Sequence, residues 1–380
     1  MGERAVVAAD KFKGSLTAAE VAARVAAGLT RGGFAGEVVT LPVADGGDGT
    51  VAAALAAGFS RLERDVHGPA GETVTAAYAL RNDTAVIEAA QACGLTLLSA
   101  RSLAPLTATS YGVGELILDA WQAGARRIVL GVGGVATTDG GAGLLQALGA
   151  RLADESGQEL PLGGGALDQL AALNLIGLHD LPDAEFLLAS DVDNPLLGPS
   201  GAAAVYGPQK GASPEEVRQL DAGLRRWADV AEAALPQPGG PRAREAPGAG
   251  AAGGLGFAAL AFLGAAIRPG IDLMLDLLSF TSRLAGARLV VTGEGAVDAQ
   301  TLHGKAPAGV ARATAAAAPG LPVIVVAGTC SLTPDQLRSA GIARAYTLAG
   351  IEPDPVRCRE QAGPLLEQLA ARIARDWITA

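Results

Sequence analysis

The sequence predicts an α/β protein with a Rossmann-like parallel-sheet domain and a second α/β domain inserted in it. The first observation is an alternation of short apolar runs with Ala- and Leu-rich stretches of helical length. The second is a repeated unit of strand, acidic glycine-rich loop and helix, whose loops begin near residues 10, 45, 133, 191 and 293. Because ligands bind at the carboxyl ends of parallel strands, we expect these loops to form an active site in the cleft between the domains.

The composition indicates a folded protein of two domains. A chain of 380 residues with 49% hydrophobic and 18% charged residues is long enough for two cores and too apolar to be disordered. The net charge of −10 disfavours a nucleic-acid partner or an anionic membrane but leaves small anionic substrates open. The longest apolar run, Leu255–Ile267, is too short to span a bilayer. Cys93, Cys330 and Cys358 form no metal or disulfide signature, and the N-terminus has no secretory segment, so we expect a cytoplasmic protein.

The N-terminal part is predicted to begin the Rossmann-like sheet and then to change pattern. Thr17-Ala-Ala-Glu20 is a capping box, in which Thr and Glu side chains satisfy the first amides of a helix. Asn82-Asp83 supplies the turn of a hairpin. The predicted elements are strands at Arg4–Ala9 and Glu37–Val43, helices from Thr17 to near Gly32 and from Thr50 to Gly58, and a hairpin of Thr73–Leu80 with Ala85–Ala89.

The rest of the chain returns to the alternating pattern. Ser213-Pro-Glu-Glu216 has the N-cap, proline and glutamate of a helix start. Residues 235–254, rich in Pro, Gly and Ala, are predicted to be a long loop. Further predicted strands are Arg127–Val132, Phe186–Ala189, Arg288–Thr292 and Pro322–Ala327, with a helix from about Pro307. We place residues 1–66 and 281–380 in the Rossmann-like domain and residues 67–280 in the inserted one.

Lysine is rare in this chain and is confined to candidate loops. Of the 29 Lys and Arg residues, only Lys11, Lys13, Lys210 and Lys305 are lysines, and each lies near glycine and acidic residues. Lysine is a compact, flexible point charge, whereas arginine is a planar fork. Compact ammonium groups beside glycines suit phosphate oxygens. The distribution therefore favours a phosphorylated ligand, although four lysines could fall in loops by chance.

Three loops carry paired acidic residues that suit a cation or proton transfer. Asp45-Gly-Gly-Asp-Gly-Thr50 has two carboxylates among three glycines at a strand-to-helix turn. Asp191-Val-Asp-Asn-Pro195 follows a strand, and its two carboxylates could share a metal or divide metal and base roles. Glu294 and Asp298 could hold magnesium, directly or through water. The alternatives are a tight turn, an Asx turn and charges that complement a helix dipole, respectively.

Known nucleotide-binding motifs are incomplete here. No Walker A sequence is present, because Ala306 follows Lys305 where Ser or Thr would stand. Gly248-Ala-Gly-Ala-Ala-Gly253 fits the dinucleotide pattern but does not follow a strand. Gly131-Val-Gly-Gly-Val-Ala136 follows a strand but lacks the acidic residue that ends a second strand about 20 residues later. A nicotinamide site is therefore disfavoured.

Taken together, the loops resemble those of the bacterial glycerate kinase type-1 family along nearly the whole chain. The segments that carry the resemblance are Asp10-Lys-Phe-Lys-Gly-Ser15, Ala44-Asp-Gly-Gly-Asp-Gly-Thr50, Ala136-Thr-Thr-Asp-Gly-Gly-Ala-Gly143, Ser190-Asp-Val-Asp-Asn-Pro-Leu-Leu-Gly198, Tyr206-Gly-Pro-Gln-Lys-Gly211, Gly248-Ala-Gly-Ala-Ala-Gly-Gly-Leu-Gly256 and Thr292-Gly-Glu-Gly295 with Lys305. The resemblance implies an ATP-dependent kinase that phosphorylates D-glycerate, with 2-phosphoglycerate favoured over 3-phosphoglycerate. Its cofactors would be ATP and Mg²⁺, and it would act as a monomer or homodimer.

We assign expected roles on this basis. Asp191 or Asp193 would accept the proton of the substrate hydroxyl, and Lys11, Lys13 and Lys305 would contact phosphates or the glycerate carboxylate. Glu294 and Asp298 would hold magnesium. The expected substrate or nucleotide contacts are Ser15, Asp45, Gly46, Gly47, Asp48, Gly49, Thr50, Gly133, Gly134, Thr137, Asp139, Gly140, Asn194, Lys210 and Arg268. The loops at 45–50 and 133–143 would supply backbone donors.

Three alternatives remain open at this point. One is a kinase of another small hydroxy acid or polyol, which substrate profiling would separate. The second is a nicotinamide-dependent hydroxy-acid dehydrogenase. The third is a non-catalytic protein that binds phosphorylated metabolites, against which the paired carboxylates count, because they repel phosphate unless a metal is bound.

Overall fold

The structure is a computed structural model that describes residues 3–99, 102–235 and 242–378. Within these ranges the strands are β1 (Arg4–Ala9), β2 (Glu37–Thr40), β3 (Ser60–His67), β4 (Thr73–Arg81), β5 (Thr84–Glu88), β6 (Arg127–Gly131), β7 (Arg151–Ala153), β8 (Ala172–Asn174), β9 (Glu185–Ala189), β10 (Ala266–Arg268), β11 (Ala287–Val297), β12 (Val323–Cys330) and β13 (Arg344–Thr347). The α-helices there are α1 (Ala18–Arg31), α2 (Thr50–Ala56), α3 (Ala90–Cys93), α4 (Tyr111–Gln122), α5 (Ala142–Ala147), α6 (Ala202–Tyr206), α7 (Pro214–Ala234), α8 (Ala251–Phe262), α9 (Gly270–Leu277), α10 (Phe280–Arg283), α11 (Ala306–Ala317), α12 (Pro334–Ser339), α13 (Pro355–Glu360) and α14 (Ala362–Trp377).

The described residues divide into two compact units, each with a large sheet of its own. The first unit comprises the described residues within Met1–Asp45, Ala52–Gly58 and Pro269–Ala380. The second unit comprises the described residues within Gly46–Val51 and Phe59–Arg268. These limits differ from the expected boundaries at residues 66 and 280. Strand β3 pairs with β4 along its whole length, which puts residues 60–66 with the second sheet. Helix α9 packs into a core of the first unit.

The first unit is a parallel sheet in doubly wound order. Its five strands lie in the order β13-β12-β11-β1-β2, and every neighbouring pair is parallel. Numbered within the unit and read from the other edge, the order is 2-1-3-4-5, so the strand order reverses between β1 and β11. The expected Rossmann-like parallel sheet is confirmed, and the crevice that such a sheet offers to ligands lies at this reversal.

Both faces of the first sheet are covered at its centre, which is why β1 is apolar throughout after Arg4. Alternate residues of β1 point to opposite faces. Ala5 and Val7 pack with α1 and α14 in one cluster, whereas Val6 and Ala8 pack with α9 and α11 in the other. Helices α1 and α14 approach so closely that a Cβ added at Gly28 would lie 2.4 Å from a backbone oxygen of α14.

The second unit has a mixed six-stranded sheet in the order β10-β9-β6-β5-β4-β3. Strands β5, β6, β9 and β10 are parallel, β4 is antiparallel to β5, and β3 is antiparallel to β4. Its core includes residues of α4, α5, α7 and α8 around the fully buried Trp227. Strands β7 and β8 form a separate two-stranded sheet. Among the residues described, no helix combines the length and apolar character needed to cross a bilayer.

Several local predictions are confirmed and others need correction. The capping boxes at Thr17 and Ser213 are present, and the hairpin turns at Asn82, whose φ is 54°. The predicted strand at residues 37–43 ends at residue 40. Part of the predicted loop 235–254, residues 236–241, lies outside the described residues. Its end is wrong, because α8 begins at Ala251, although positive φ angles at residues 252–254 interrupt that helix.

Candidate active site

The first unit places two acidic residues at the carboxyl end of its sheet, beside the reversal of strand order. Asp10 follows β1, and Glu294 lies in β11 directly after Gly293, the register partner of Ala9. The Asp10 amide donates to the Gly293 carbonyl at 2.9 Å, which ties the two strands together at this edge. Doubly wound sheets bind their ligands at this position.

Asp10 has the electrostatic character of a group that exchanges a proton near neutral pH. Burial is the main cause that raises the pKa of its carboxyl to about 7. The charges of Asp45 and Glu294 act in the same direction, and Lys11 opposes them. The Lys11 amide also donates to Asp10 Oδ1 at 2.6 Å. Because a general base works best with a pKa near the reaction pH, Asp10 joins the candidate acid–base groups.

Glu294 lies at the centre of a network with Thr301 and Lys305. Thr301 Oγ1 donates to Glu294 Oε1, and Lys305 Nζ lies 3.5 Å from Glu294 Oε2. Burial raises the pKa of Glu294, Thr301 and Lys305 lower it, and the charge of Asp298 raises it. Asp298 Oδ1 accepts from the amides of Gln300 at 2.8 Å and Thr301 at 3.3 Å, so it caps the following 3-10 turn. Thr301 therefore links Glu294 with Asp298, and Lys305 lies directly beside Glu294.

Magnesium is the metal expected at Glu294 and Asp298. Among the residues that the structure describes, no three His, Cys, Asp or Glu side chains are grouped to hold a metal ion. Mg²⁺ at phosphoryl-transfer sites is held by one or two carboxylates, with substrate phosphates and water completing its shell. The carboxylate of Glu294, with Asp298 beside it, fits that donor set, and the assignment stays a prediction.

The loop after β1 carries two of the expected phosphate contacts. The Phe12 amide donates to the Leu16 carbonyl at 2.8 Å, and the Ser15 amide and hydroxyl donate to the Phe12 carbonyl at 2.9 and 3.1 Å. The Ser15 hydroxyl therefore serves this turn, and its ligand contact stays a prediction. Lys13 is exposed and Lys11 is partly buried. Both ammonium groups belong to the loop that leaves the sheet beside Glu294.

The second unit presents a row of four neighbouring residues at its own parallel strand ends. Glu88, Gly131, Ala189 and Arg268 are partners in the register of β5, β6, β9 and β10. Gly46 lies directly on this row. A Cβ added at Gly46 would lie 2.8 Å from the Ala189 carbonyl oxygen, and one at Gly131 would lie 2.7 Å from the Gly46 carbonyl oxygen. Only glycine fits either position, and three candidate loops therefore meet at this edge.

Some groups of the 45–50 loop already bind protein acceptors. The amides of Gly49 and Val51 donate to Glu88 Oε2 at 3.2 and 3.3 Å. The buried Thr50 donates its hydroxyl to the Gly47 carbonyl at 2.6 Å. The Gly49 amide and the Thr50 hydroxyl therefore help to hold the loop itself, and their contact with a ligand stays a prediction. The residues of the loop that keep exposed surface are Asp45, Gly47, Asp48 and Gly49.

The buried carboxylate of Asp139 organises the 133–143 loop from within. Its Oδ2 accepts from the Ser110 amide and hydroxyl, both at 2.8 Å, and from the Gly143 amide at 3.3 Å. Its Oδ1 accepts from the Gly141 amide at 3.1 Å. Burial raises the pKa of Asp139, and these hydrogen bonds oppose the rise. Asp139 and the buried Gly140 thus shape the loop, and their contact with a ligand stays a prediction. The expected contacts that keep exposed surface here are Gly133 and Gly134.

Lys210 is buried in the second unit and donates to a backbone carbonyl. Its side chain is buried, at 3% exposure, and its Nζ donates to the Thr137 carbonyl at 2.6 Å. Burial lowers the pKa of Lys210 to about 8, and the charges of Cys93 and Asp139 partly restore it. Thr137 is fully buried as well. The structure therefore gives Lys210 a contact that supports the backbone of the 133–143 loop, and a ligand contact of either side chain stays a prediction.

The 190–195 loop exposes the two carboxylates that were expected to act as the base. Asp191 and Asp193 are exposed, on irregular backbone that follows β9. Asn194 is held on both sides of its amide, since its Nδ2 donates to the Ser200 carbonyl at 2.8 Å and its Oδ1 accepts from the Tyr206 hydroxyl at 2.7 Å. The loop therefore presents two accessible carboxylates on a fixed base.

Sequence reasoning missed the roles of Asp10 and Glu88. Each carries its carboxylate at the end of an apolar strand, Asp10 just after β1 and Glu88 as the last residue of β5. Burial of these carboxylates depends on contacts with loops far away in sequence. The sequence did offer one signal, an acidic residue at the end of an apolar run. A buried carboxylate is costly unless it is hydrogen-bonded or paired, so such a position indicates a specific role.

Comparison with known proteins finds glycerate kinases that match almost the full length of this chain. The family model described as the glycerate kinase family matches residues 5–378. A glycerate kinase of Bacillus subtilis (strain 168) is 44% identical over 373 residues, which are 97% of this chain and 96% of the relative. A glycerate 2-kinase of Escherichia coli (strain K12) is 45% identical over 335 residues, 87% of this chain and 86% of the relative.

A solved structure has the same fold. That structure is of a candidate glycerate kinase 2 from Salmonella typhimurium LT2. It superposes on the present structure with a TM-score of 0.84, and the two sequences are 39% identical. The match covers 99% of this chain and 98% of that one. The family match, the relatives and this structure agree, and the chain belongs to the glycerate kinase family.

Proposed function

We propose that this protein transfers the γ-phosphoryl group of ATP to D-glycerate, giving ADP and phosphoglycerate. The observation that carries the proposal is the conjunction of family membership with two sets of charged groups at parallel strand ends. One set combines Lys11, Lys13 and Lys305 with buried carboxylates, and the other carries the exposed Asp191 and Asp193. Phosphoryl transfer needs mainly positioned reactants and neutralised charge, which these sets provide.

In the proposed reaction, a hydroxyl oxygen of glycerate attacks the γ-phosphorus, and the bond from that phosphorus to the β–γ bridging oxygen breaks. The hydroxyl proton passes to Asp191 or Asp193, and the released charge stays on ADP. Lysine ammonium groups oppose the charge that accumulates on the phosphate oxygens. A bound Mg²⁺ supplies Lewis-acid neutralisation of the nucleotide phosphates. Glu294 and Asp298 are the residues that we propose to hold it.

A second candidate for the base is Asp10. The proposal rests on burial and on a pKa of about 7, which allow the carboxyl to gain and lose a proton near neutral pH. Asp191 and Asp193 instead offer accessible carboxylates in the second unit, on the loop after β9. Asparagine substitutions separate these assignments, because only the base should be needed for proton removal.

We propose the 2-hydroxyl as the phosphorylated position. Support comes from the resemblance of the loops and from a relative at 45% identity that is named a glycerate 2-kinase. The match covers 87% of this chain and 86% of that relative. The 3-hydroxyl is the alternative product.

The test is a coupled ADP-release assay with ATP, magnesium and a panel of acceptors. D-glycerate should give acceptor-dependent ADP release, and omission of magnesium should abolish it. Release with another hydroxy acid but not with D-glycerate would keep the kinase and overturn the substrate. No release with any acceptor would overturn the enzymatic function, and NADH absorbance changes with a hydroxy acid would favour a dehydrogenase.

A further inference from the structure

One short segment of the second unit contacts two of the candidate loops at once. We define the bracing segment as residues 206–211. At one end, the Tyr206 hydroxyl donates to Asn194 Oδ1 at 2.7 Å, in the 190–195 loop. At the other end, Lys210 Nζ donates to the Thr137 carbonyl at 2.6 Å, in the 133–143 loop. Neither residue is accounted for by the proposed chemistry.

The bracing segment is itself held in a fixed conformation. The Lys210 amide donates to the Gly207 carbonyl at 3.0 Å, and the Gly211 amide donates to the Pro208 carbonyl at 3.1 Å. The Ala212 amide closes the segment by donating to Gly207 at 3.1 Å. A Cβ added at Gly207 would lie 2.4 Å from a carbonyl oxygen of α6, so only glycine lets the segment pack there. The two side chains are therefore fixed relative to each other.

The contact at Asn194 fixes the orientation of its amide. Because the Tyr206 hydroxyl donates to Oδ1, the Nδ2 group points to the Ser200 carbonyl, to which it donates at 2.8 Å. Asn194 is the next residue after Asp193, and the charge of Asp193 is close enough to raise the pKa of Tyr206, after burial as the main cause. Tyr206 thus lies against the base of the carboxylate-bearing loop.

The contact at Thr137 holds the second loop at its buried end. An ammonium group at 3% exposure is costly to bury, and here it donates to a backbone carbonyl near the charge of Asp139. The same loop is held by the Trp227 indole, whose Nε1 donates to the Gly140 carbonyl at 3.0 Å. Lys210 and Asp139 thus hold the buried part of the loop that also carries Gly133 and Gly134, both of which keep exposed surface.

We propose that the bracing segment is a positioning element, in which Tyr206 and Lys210 hold the 190–195 and 133–143 loops in one fixed relation. This inference rests on the proposed function, because the loops are taken to carry the base and the ligand-binding backbone. Neither Tyr206 nor Lys210 is proposed to touch the reactants. Displacing a catalytic group by about 1 Å can cost roughly 100-fold in rate, so a positioning residue acts mainly on kcat.

Tyr206→Phe tests one end by removing a single oxygen atom. We expect kcat to fall roughly 10-fold with little change in KM, because the loop is displaced and the substrates still bind. The matched control is Tyr78→Phe in the same unit, which removes a hydroxyl that donates to Asp119 Oδ2 at 2.6 Å, away from both loops. The control should lower thermal stability without changing kcat. An unchanged kcat in Tyr206→Phe would overturn the inference.

Lys210→Met and the double variant test whether the two contacts act through one element. If they do, the fold-decrease in kcat of the double variant should be smaller than the product of the fold-decreases of Tyr206→Phe and Lys210→Met. Multiplicative losses would mean that each loop is held separately, and the inference would fail. Because Lys210→Met can compromise folding, Tyr206→Phe is also followed by amide hydrogen exchange.

Hydrogen exchange separates this inference from the proposed function, since it needs no activity. In Tyr206→Phe, exchange should rise in peptides covering 190–200 and also in peptides covering 133–143. A rise confined to 190–200 would show that the segment does not couple the loops. If wild-type protein released no ADP with any acceptor, the proposed function would fail, and exchange would still decide the structural claim.

Discussion

Lys210 and Lys13 show how burial separates two residues of the same type. Both lie in glycine-containing loops, and the sequence assigned both to ligand contacts. Lys13 is exposed, whereas Lys210 is 3% exposed and donates to the Thr137 carbonyl. The sequence shows the loop and the residue type, but it does not show which side of the loop faces the core. That difference decides whether an ammonium group faces solvent or donates to buried backbone.

Asparagine substitutions test the base. We expect either Asp191→Asn or Asp193→Asn to lower kcat by about 100- to 10,000-fold, because a positioned base contributes that much to proton transfer. Steady-state kinetics with D-glycerate and ATP would show the loss. Asp180→Asn, which removes an exposed carboxylate of the second unit outside the candidate loops, gives the comparison for loss of charge. If Asp191→Asn and Asp193→Asn both kept near wild-type kcat and Asp10→Asn lost most of it, the role of general base would pass to Asp10.

Lys210 should give protein stability a distinctive dependence on alkaline pH. Its folded-state pKa is lowered by burial to about 8, whereas the unfolded lysine keeps its ordinary, higher value. Above pH 8 the unfolded state therefore binds more protons at this site, so this group makes the free energy of unfolding rise with pH. Below pH 8 the group is protonated in both states, and it adds no slope.

The measurement is urea unfolding of wild type and Lys210→Met between pH 7 and pH 9. The difference in unfolding free energy between the two proteins should increase in favour of wild type above about pH 8. Other titrating groups are common to both proteins and cancel in that difference. A difference that stays constant or declines across this range would contradict the lowered pKa.

At the scale of elements, the 45–50 loop depends on a carboxylate from β5. Glu88 Oε2 accepts from the amides of Gly49 and Val51, and only 2% of Glu88 is exposed. We expect Glu88→Gln to destabilise the protein by about 1–3 kcal/mol, as weakening buried charge-assisted hydrogen bonds does. Because the loop shifts with its anchor, kcat/KM should also fall.

Glu115→Gln is the matched control for Glu88→Gln. Glu115 Oε2 also accepts a backbone amide, from His67 at 2.7 Å, but its side chain is 30% exposed and lies away from the loop. Thermal unfolding and steady-state kinetics should show a small stability loss and an unchanged kcat/KM for this control. Equal kinetic effects in the two variants would mean that Glu88 has no special connection with the 45–50 loop.

Elements with strong local signals could be predicted, and those formed by distant contacts could not. The Thr17 and Ser213 capping boxes and the β4–β5 hairpin are local, and all are present. Strand β3 was missed because its pattern of mostly exposed residues, Arg and Glu among them, hides an edge strand that pairs only with β4. Strand β10 has three residues, too few to show any period.

For the whole molecule, the sequence predicted the positions of the candidate loops better than it predicted the roles of single residues within them. The loops expected near residues 10, 45, 133 and 191 follow parallel strands, whereas the start of the loop expected at 293 is wrong, because β11 continues to Val297. The roles of single residues within them depend on burial, which brings Glu88 to Gly49 across the sequence. Family membership adds the reaction, and the geometry of each unit limits which residues can perform it.

The most direct test of the kinase assignment is phosphorus NMR of the product formed from ATP and D-glycerate, with coupling to protons retained. A phosphate on the 2-hydroxyl is coupled to one carbon-bound proton and gives a doublet, whereas a phosphate on the 3-hydroxyl is coupled to two and gives a triplet. We predict a new doublet that grows as the γ-phosphate signal of ATP declines. A triplet would contradict 2-phosphorylation, and the absence of any new phosphomonoester signal would contradict glycerate kinase activity.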